Sequence, residues 1–369
     1  MTDKKTLCVV GLGYIGLPTA SLLATKGYRV HGVDVSQHVV DTINAGDIHI
    51  REPELDVLVR SAVQSGRLTA SLEPTEADIF VLAVPTPFMD GHKPDLTYVE
   101  SASRAVAPYL RPGNLVILES TSPVGTTERV LDWLVEQRPD LDRDSILVAH
   151  CPERVLPGQI IRELVENDRI VGGVNDASTE VAAEFYREFV SGEVLTTHSR
   201  TAELAKLTEN TFRDVNIALA NELSFICDHL QVDVWELIRL ANHHPRVNIL
   251  QPGPGVGGHC IAVDPWFIVD SAPEQARLVR MAREVNESKP EHVVQRVLAR
   301  AKRIKDPVVV CLGLAYKPDI DDLRESPSLD IALRLAAVGL GRVLAVEPYV
   351  DELPQFLDDA GVELVILDQ

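Results

Sequence analysis

Basic residues are scarce in this sequence. Lysine and arginine number 35 against 55 aspartates and glutamates, a formal net charge of −20 over 369 residues. Such a surface repels nucleic acid and anionic lipid at long range, so neither is expected as a partner. Cysteine is scarce too. The five, Cys8, Cys151, Cys227, Cys260 and Cys311, are odd in number and widely spaced, and none forms a C-x-x-C pair. That argues against a disulfide framework and for a reducing compartment, the cytoplasm. Low-complexity tracts, evident short repeats and a transmembrane run are all missing. The uncharged stretch from Leu7 to Ala24 imitates a secretion signal, but three glycines and Pro18 interrupt it. What is present is a chain 45% hydrophobic, long enough for about two or three domains.

Apolar runs bounded by turns recur through the first half: "TLCVV" (6–10), "RVHGVDV" (29–35), "ADIFVLAVP" (77–85), "NLVILEST" (114–121), "SILVAHCPE" (145–153) and "RIVGG" (169–173). Helix-like stretches such as "GLPTASLLATKG" and "TYVESASRAVAPYL" lie between them. The alternation predicts an α/β fold, with a Rossmann-type, doubly wound parallel sheet over residues 1–198. From Thr201 to about Arg239 the apolar periodicity continues without glycine or proline, which predicts one or two long helices in a central helical domain, 199–304. Alternation restarts with "PVVVCLGLAY" and continues through "RVLAVEP" to "VELVILD". These three strands predict a C-terminal Rossmann-like α/β domain over 305–369, half of a doubly wound sheet and so expected to be truncated.

"VVGLGYIGLP" places Gly11, Gly13 and Gly16 in G-x-G-x-x-G spacing between a predicted strand and a helix. Gly11 suits the tight turn, Gly13 the close approach of a pyrophosphate, and Gly16 the packing of helix on strand. The helix N-terminus then faces the phosphates. Asp34, ending the second strand, suits the ribose hydroxyls and repels a 2′-phosphate, so NAD is expected rather than NADP. A tight turn without nucleotide is the alternative. Thr86 in "VPTPF" and Thr121 in "ESTSPVG" end later strands, where they either line the nicotinamide side or serve the turns.

"GPGVGGHCIAVDPW" sets Cys260 behind four glycines, with Asp264 four residues on. His243, His244 and His259 are not in a familiar ligand spacing, so no metal is expected. An inert buried thiol is one reading, and the natural one for the other four cysteines. A nucleophile is the other. Its thiolate would add to an aldehyde and give a thiohemiacetal, which can lose a hydride; water would then hydrolyse the resulting thioester. Such chemistry needs an oxyanion partner and a base. Lys206 and Asn210 share one helix face at i, i+4, and Glu153 in "HCPERVLPG" ends a strand on the cofactor side. Solvated surface is the alternative for the Lys–Asn pair.

The motifs "GLGYIGLP", "VPTP", "STSPVG", "CPERVLPG", "KLTENTFRDVNIALANE", "GGHCIAVDP" and "GLAYKPDIDDLRESP" resemble those of the UDP-glucose/GDP-mannose dehydrogenases over essentially the whole chain. The resemblance implies NAD-dependent oxidation of a sugar C6 alcohol to a carboxylate in two steps. It implies Cys260 as nucleophile, Lys206 and Asn210 at the oxyanion, Glu153 as base, and Asp264 and Thr121 holding the water. It places Gly11, Gly13, Tyr14, Ile15, Gly16, Asp34, Pro85, Thr86, Thr121 and Arg324 on the cofactor. Glu153, Arg154, Val155, Lys206, Asn210, Arg246, Asn248, Gly257 and Lys317 fall on the nucleotide-sugar substrate, with Arg246 reaching a neighbouring subunit's site. A homodimer or dimer of dimers is therefore implied, with the long helix as its spine. Asn242–Ile249 is the candidate wall for choosing the sugar. Two rivals remain: a single-step hydroxyacid-type dehydrogenase, which needs no thiol, and a non-catalytic nucleotide-binding relative.

Overall fold

The computed structural model describes residues 4–89, 91–258, 260–317, 322–339, 341–350 and 352–365. They fall into two compact units, 1–207 and 208–369. The strands of the first are β1 (Thr6–Val10), β2 (Arg29–Val33), β3 (Leu68–Ser71), β4 (Ile79–Leu82), the hairpin pair β5 (Phe88–Met89) and β6 (Lys93–Pro94), β7 (Leu115–Leu118), β8 (Leu147–His150), β9 (Arg169–Gly173) and β10 (Val194–His198). Eight of these form one sheet in the order β10-β9-β8-β7-β4-β1-β2-β3. Its helices are α1 (Gly16–Thr25), α2 (Gln37–Asn44), α3 (Leu55–Gln64), α4 (Thr97–Val106), α5 (Thr126–Gln137), α6 (Ile160–Glu166) and α7 (Asp176–Arg187).

The apolar runs become the middle of this sheet because both faces are covered. Along β1, Leu7 and Val9 join one core cluster with Leu17 of α1 and Phe185 of α7, while Cys8 and Val10 join another with Val99 of α4 and Val130 of α5. The strand order reverses between β1 and β4, so the turns after these two strands flank the crevice where such sheets bind ligands. β3, β10 and the hairpin were not foreseen. They are short or largely exposed and lack a continuous apolar run.

The expectation of an all-parallel sheet is corrected at one place. β9 pairs antiparallel with β8, through Ala149↔Gly173 and His150↔Gly172, and β10 runs parallel to β9. A parallel β9 would begin at the amino edge of the sheet. The reversal brings its first residue, Arg169, to the carboxyl edge beyond β8 instead.

In the second unit the remainder of α8 (Ser199–Leu230) is followed by α9 (Val234–Ala241), α10 (Asp264–Ser271) and α11 (Arg277–Ala301). A parallel sheet of β11 (Val308–Leu312), β12 (Arg342–Val346) and β13 (Val362–Leu364) carries α12 (Pro327–Val338) and α13 (Gln355–Asp359). Val294 and Leu298 of α11 are buried in one cluster with Ile331, Leu335, Val343 and Leu357. No helix among the described residues is long and apolar enough to cross a membrane.

Candidate active site

The turn after β1 has the geometry that a pyrophosphate needs. Gly11 has φ +91°, and a Cβ there would lie 2.5 Å from the Ala83 carbonyl oxygen. At Gly16 a Cβ would lie 1.8 Å from the Gly11 carbonyl oxygen. A Cβ at Gly13 would meet nothing within 4 Å, so the glycine that should admit the ligand is the one with space before it. Tyr14 is exposed and Ile15 half-buried, just ahead of α1. Asp34 folds back on this turn: its Oδ2 accepts from the Leu12 N–H at 3.1 Å and its Oδ1 from the Ser36 N–H at 2.9 Å. These residues fit a dinucleotide, with Asp34 fixed beside the turn.

Thr86 donates its hydroxyl to the Thr121 carbonyl at 2.6 Å, joining the loops after β4 and β7, while Pro85 is exposed beside it. The loop from Thr121 into α5 is held from α8. Glu203, buried, accepts from the Gly125 and Thr127 N–H groups at 2.6 and 2.7 Å. Glu52 does the same for the "ERVLPG" loop, accepting from Gly158 and Ile160 N–H groups at 2.8 Å each. In that loop Arg154 donates to the Asp168 carbonyl at 3.1 Å, and Val155 packs against the core.

Glu153 heads this loop and is buried. Its Oε2 pairs with Arg169 Nη1 at 2.6 Å and its Oε1 accepts the Arg154 N–H at 2.7 Å. Arg169 is 1% exposed and donates a second bond, from Nη2 to the Leu164 carbonyl. A second acid, Glu119, ends β7 and accepts the Tyr186 hydroxyl at 2.8 Å. Burial, and then the Glu153 charge, push its carboxyl up to about 7. Arg169, Glu119 and Tyr186 are not among the expected site residues; for Arg169 the cause is β9, which in a parallel sheet would start at the opposite edge. An arginine opening an otherwise apolar strand was the available signal.

Lys206 lies on α8 and is half-buried. Burial, with the Lys206 charge adding to it, pushes the His150 imidazole down to about 3. Asn210 follows one turn later on the same helix and donates to Asp264 Oδ2 at 2.5 Å, while Asp264 is 3% exposed. Asp264 opens α10, and its N–H and that of Val263 both donate to the Cys260 carbonyl. Cys260 is the one exposed cysteine; Cys8, Cys151 and Cys227 are buried and Cys311 is half-buried. Burial pushes the Cys8 and Cys151 thiols up to about 11 and about 12, so neither is a nucleophile at neutral pH.

The glycines before Cys260 serve packing. A Cβ at Gly257 would lie 2.5 Å from the Glu325 carbonyl oxygen and 2.7 Å from Tyr316 Cβ, and one at Gly258 would lie 2.8 Å from the Tyr316 ring. The loop start is tied to a buried network. Asn221 accepts the Gly253 N–H at 2.9 Å and donates to Asn286 at 2.9 Å; Asn286 and Arg283 donate to Asp214 Oδ1 at 2.8 and 2.7 Å. The Asn242 side chain closes the stretch to Ile249, donating to its carbonyl at 2.9 Å and accepting its N–H at 2.8 Å.

Arg246 and Asn248 sit exposed in that closed stretch. Lys317 lies 5.9 Å over the Tyr316 ring, and Arg324 pairs with Asp322 at 2.6 Å. His259 and part of the "YKPDIDDLRESP" motif lie outside the described residues. Among the described residues, no group of three or more His, Cys, Asp or Glu side chains could hold a metal ion.

Family models match along the chain: the UDP-glucose/GDP-mannose dehydrogenase family NAD binding domain over residues 5–190, its central domain over 200–288 and its UDP binding domain over 310–367. The NDP-N-acetyl-D-galactosaminuronic acid dehydrogenase of Ralstonia nicotianae is 61% identical over 98% of this chain and 87% of its own. The UDP-N-acetyl-D-mannosamine dehydrogenase of Campylobacter jejuni is 57% identical over 100% of this chain and 93% of its own. Among solved structures, a UDP-N-acetyl-mannosamine dehydrogenase from S. aureus is 44% identical with a TM-score of 0.87, covering 98% of this chain and 88% of that one.

Proposed function

The chain belongs to the UDP-glucose/GDP-mannose dehydrogenase family, and on that premise we propose that it oxidises the C6 alcohol of UDP-N-acetyl-D-mannosamine to the carboxylate. NAD is the cofactor; the Gly11–Gly16 turn would hold its pyrophosphate and Asp34 its adenosine ribose, and when bound it would supply the hydride acceptor. The alcohol loses a hydride and a proton to give the aldehyde. The Cys260 sulfur bonds to the aldehyde carbon, and the thiohemiacetal loses a second hydride and proton. Water then cleaves the thioester C–S bond, giving acid and thiol. Each sugar therefore reduces two NAD.

Lys206 and Asn210 stabilise the oxyanion, Glu153 takes the water's proton, and Asp264 orients Asn210. The observation that carries the thiol steps is the exposure of Cys260 beside the Asn210–Asp264 pair, against the burial of Cys8, Cys151 and Cys227. Thr86, Thr121, Arg154, Val155, Asn248, Gly257, Lys317 and Arg324 are assigned to binding, with Arg246 reaching a second copy's site. Phe212, Leu219 and Ile226 of α8 are 70%, 47% and 47% exposed and recur every seven residues, which suits packing on another copy of the helix. A homodimer or dimer of dimers working in the cytoplasm is the expected assembly.

The 61% identity to the galactosaminuronic acid enzyme favours one second reading, UDP-N-acetyl-D-galactosamine as substrate. NADH formed per sugar consumed tests both. Two per manno sugar, with Cys260→Ser forming no acid, is the expected result. One per sugar, or steady acid formation by Cys260→Ser, overturns the thioester route; preference for the galacto sugar selects the second substrate.

A further inference from the structure

The thiol route uses Glu153, but Glu153 does not sit alone. Four elements meet around it in the first unit. Glu119 comes from the end of β7, Cys151 from beyond β8, Arg169 from the head of β9 and Tyr186 from α7. Glu119 is 3% exposed, Arg169 and Tyr186 are each 1% exposed and Cys151 is fully buried. Two acids therefore share one guanidinium out of contact with bulk water, and two like charges beside one cation cannot both be ionised cheaply. The hydrogen bonding is also uneven. Glu153 takes Arg169 Nη1, whereas Glu119 Oε2 and Arg169 Nε are buried with no hydrogen-bond partner among the described residues. Glu119 therefore lacks the guanidinium hydrogen bond that Glu153 has.

We propose that Glu119 is a positioning residue for thioester hydrolysis, acting through Arg169 to set the basicity of Glu153. This rests on the thioester route proposed above. While Glu119 is protonated, the Arg169 charge is committed to Glu153 alone. When Glu119 loses its proton, the guanidinium charge is shared between two carboxylates. Glu153 then accepts a proton from water more readily as the water oxygen bonds to the thioester carbon. The C–S electron pair returns to Cys260, and no oxidant is involved. The groups facing Glu119 are Glu153, Arg169, Tyr186 and Cys151. The charge of Glu153 raises its carboxyl, whereas the charge of Arg169 and the Tyr186 hydroxyl lower it. Titration near 7 places the change within the working range of a cytoplasmic enzyme.

The test is the pH profile of acid release, read beside the first NADH and the mass of the protein-bound adduct, in wild type, Glu119→Gln and Tyr186→Phe. In the wild type, acid release should rise with pH through an inflection near 7. Glu119→Gln should lose that inflection and accumulate adduct on Cys260, with its first-turnover NADH and its KM for the sugar unchanged. Tyr186→Phe removes the hydroxyl that favours the Glu119 carboxylate, so its inflection should move to higher pH. An inflection unmoved in both variants overturns the role of Glu119. Absence of any adduct in all three proteins overturns the thioester route itself, and with it this role.

Discussion

Each unit contains a buried arginine paired with a buried carboxylate. Arg169 holds Glu153 at 2.6 Å in the first, and Arg283 holds Asp214 at 2.7 Å in the second. Each arginine also has a second acid nearby, and there the two differ. Glu287, beside Arg283 at 3.2 Å, keeps a side chain 39% exposed, so water solvates its charge. Glu119, beside Arg169, is buried. Asp214 gains two further bonds from Asn286, one to Oδ1 at 2.8 Å and one to its carbonyl at 3.1 Å. Burial raises the Asp214 carboxyl as well, and Asp214 Oδ2 and Arg283 Nε also lack hydrogen-bond partners among the described residues, so the two clusters differ in the extra acid: buried in the first, reaching water in the second. Whether an extra acid reaches water decides between them, not the arginine.

The largest effect should come from removing the cations. Arg169→Met and Arg283→Met should each cost about 3–5 kcal/mol at pH 7, because each strands a buried carboxylate. Arg169→Met should be the worse, since it strands two acids and Asp214 retains its asparagine. Thermal unfolding compares them, and an equal or smaller loss for Arg169→Met would erase the distinction.

The next effect separates the clusters by pH. Glu119 has a folded pKa raised to about 7 by burial, so between its unfolded value and that point the folded state holds one proton more. Stability should fall as pH rises across that window, by on the order of 3 kcal/mol. Glu119→Gln should therefore match the wild type at pH 5 and exceed it at pH 8. A parallel pH dependence in both proteins would show that Glu119 is not the group responsible.

The smallest effect is expected at the exposed acid. Glu287→Gln should change stability by less than about 1 kcal/mol, as its charge was already shared with water. A loss as large as that of Arg283→Met would mean that the second cluster also depends on its extra acid.

Much of the candidate site was legible from local patterns. The three glycines after β1, Asp34, the Lys206–Asn210 spacing and the distinct setting of Cys260 are each carried by a few adjacent residues, and chemistry follows from residue type and offset. The Arg169–Glu153 pair was not legible. It depends on one strand reversing, and "RIVGG" reads the same in either direction. Four glycines before a cysteine would suit the close approach of a ligand, but those at 257 and 258 face Tyr316 and Glu325, about sixty residues on in the sequence. A glycine states that something comes close without saying what.

That last packing has a practical corollary for anyone recombining relatives. The family's sequence modules suggest a cut between the central helices and the nucleotide-binding end, near residue 305. Gly255, Gly257 and Gly258 are fitted to Tyr316, Glu325 and Pro327, with clearances under 3 Å for a single added carbon. A graft that took residues 305–369 from a donor with a different residue at 316 or 327 would arrive misfitted to the loop bearing Cys260. The transferable piece is the C-terminal segment together with residues 253–258, two stretches that the gene keeps apart and the fold inherits as one.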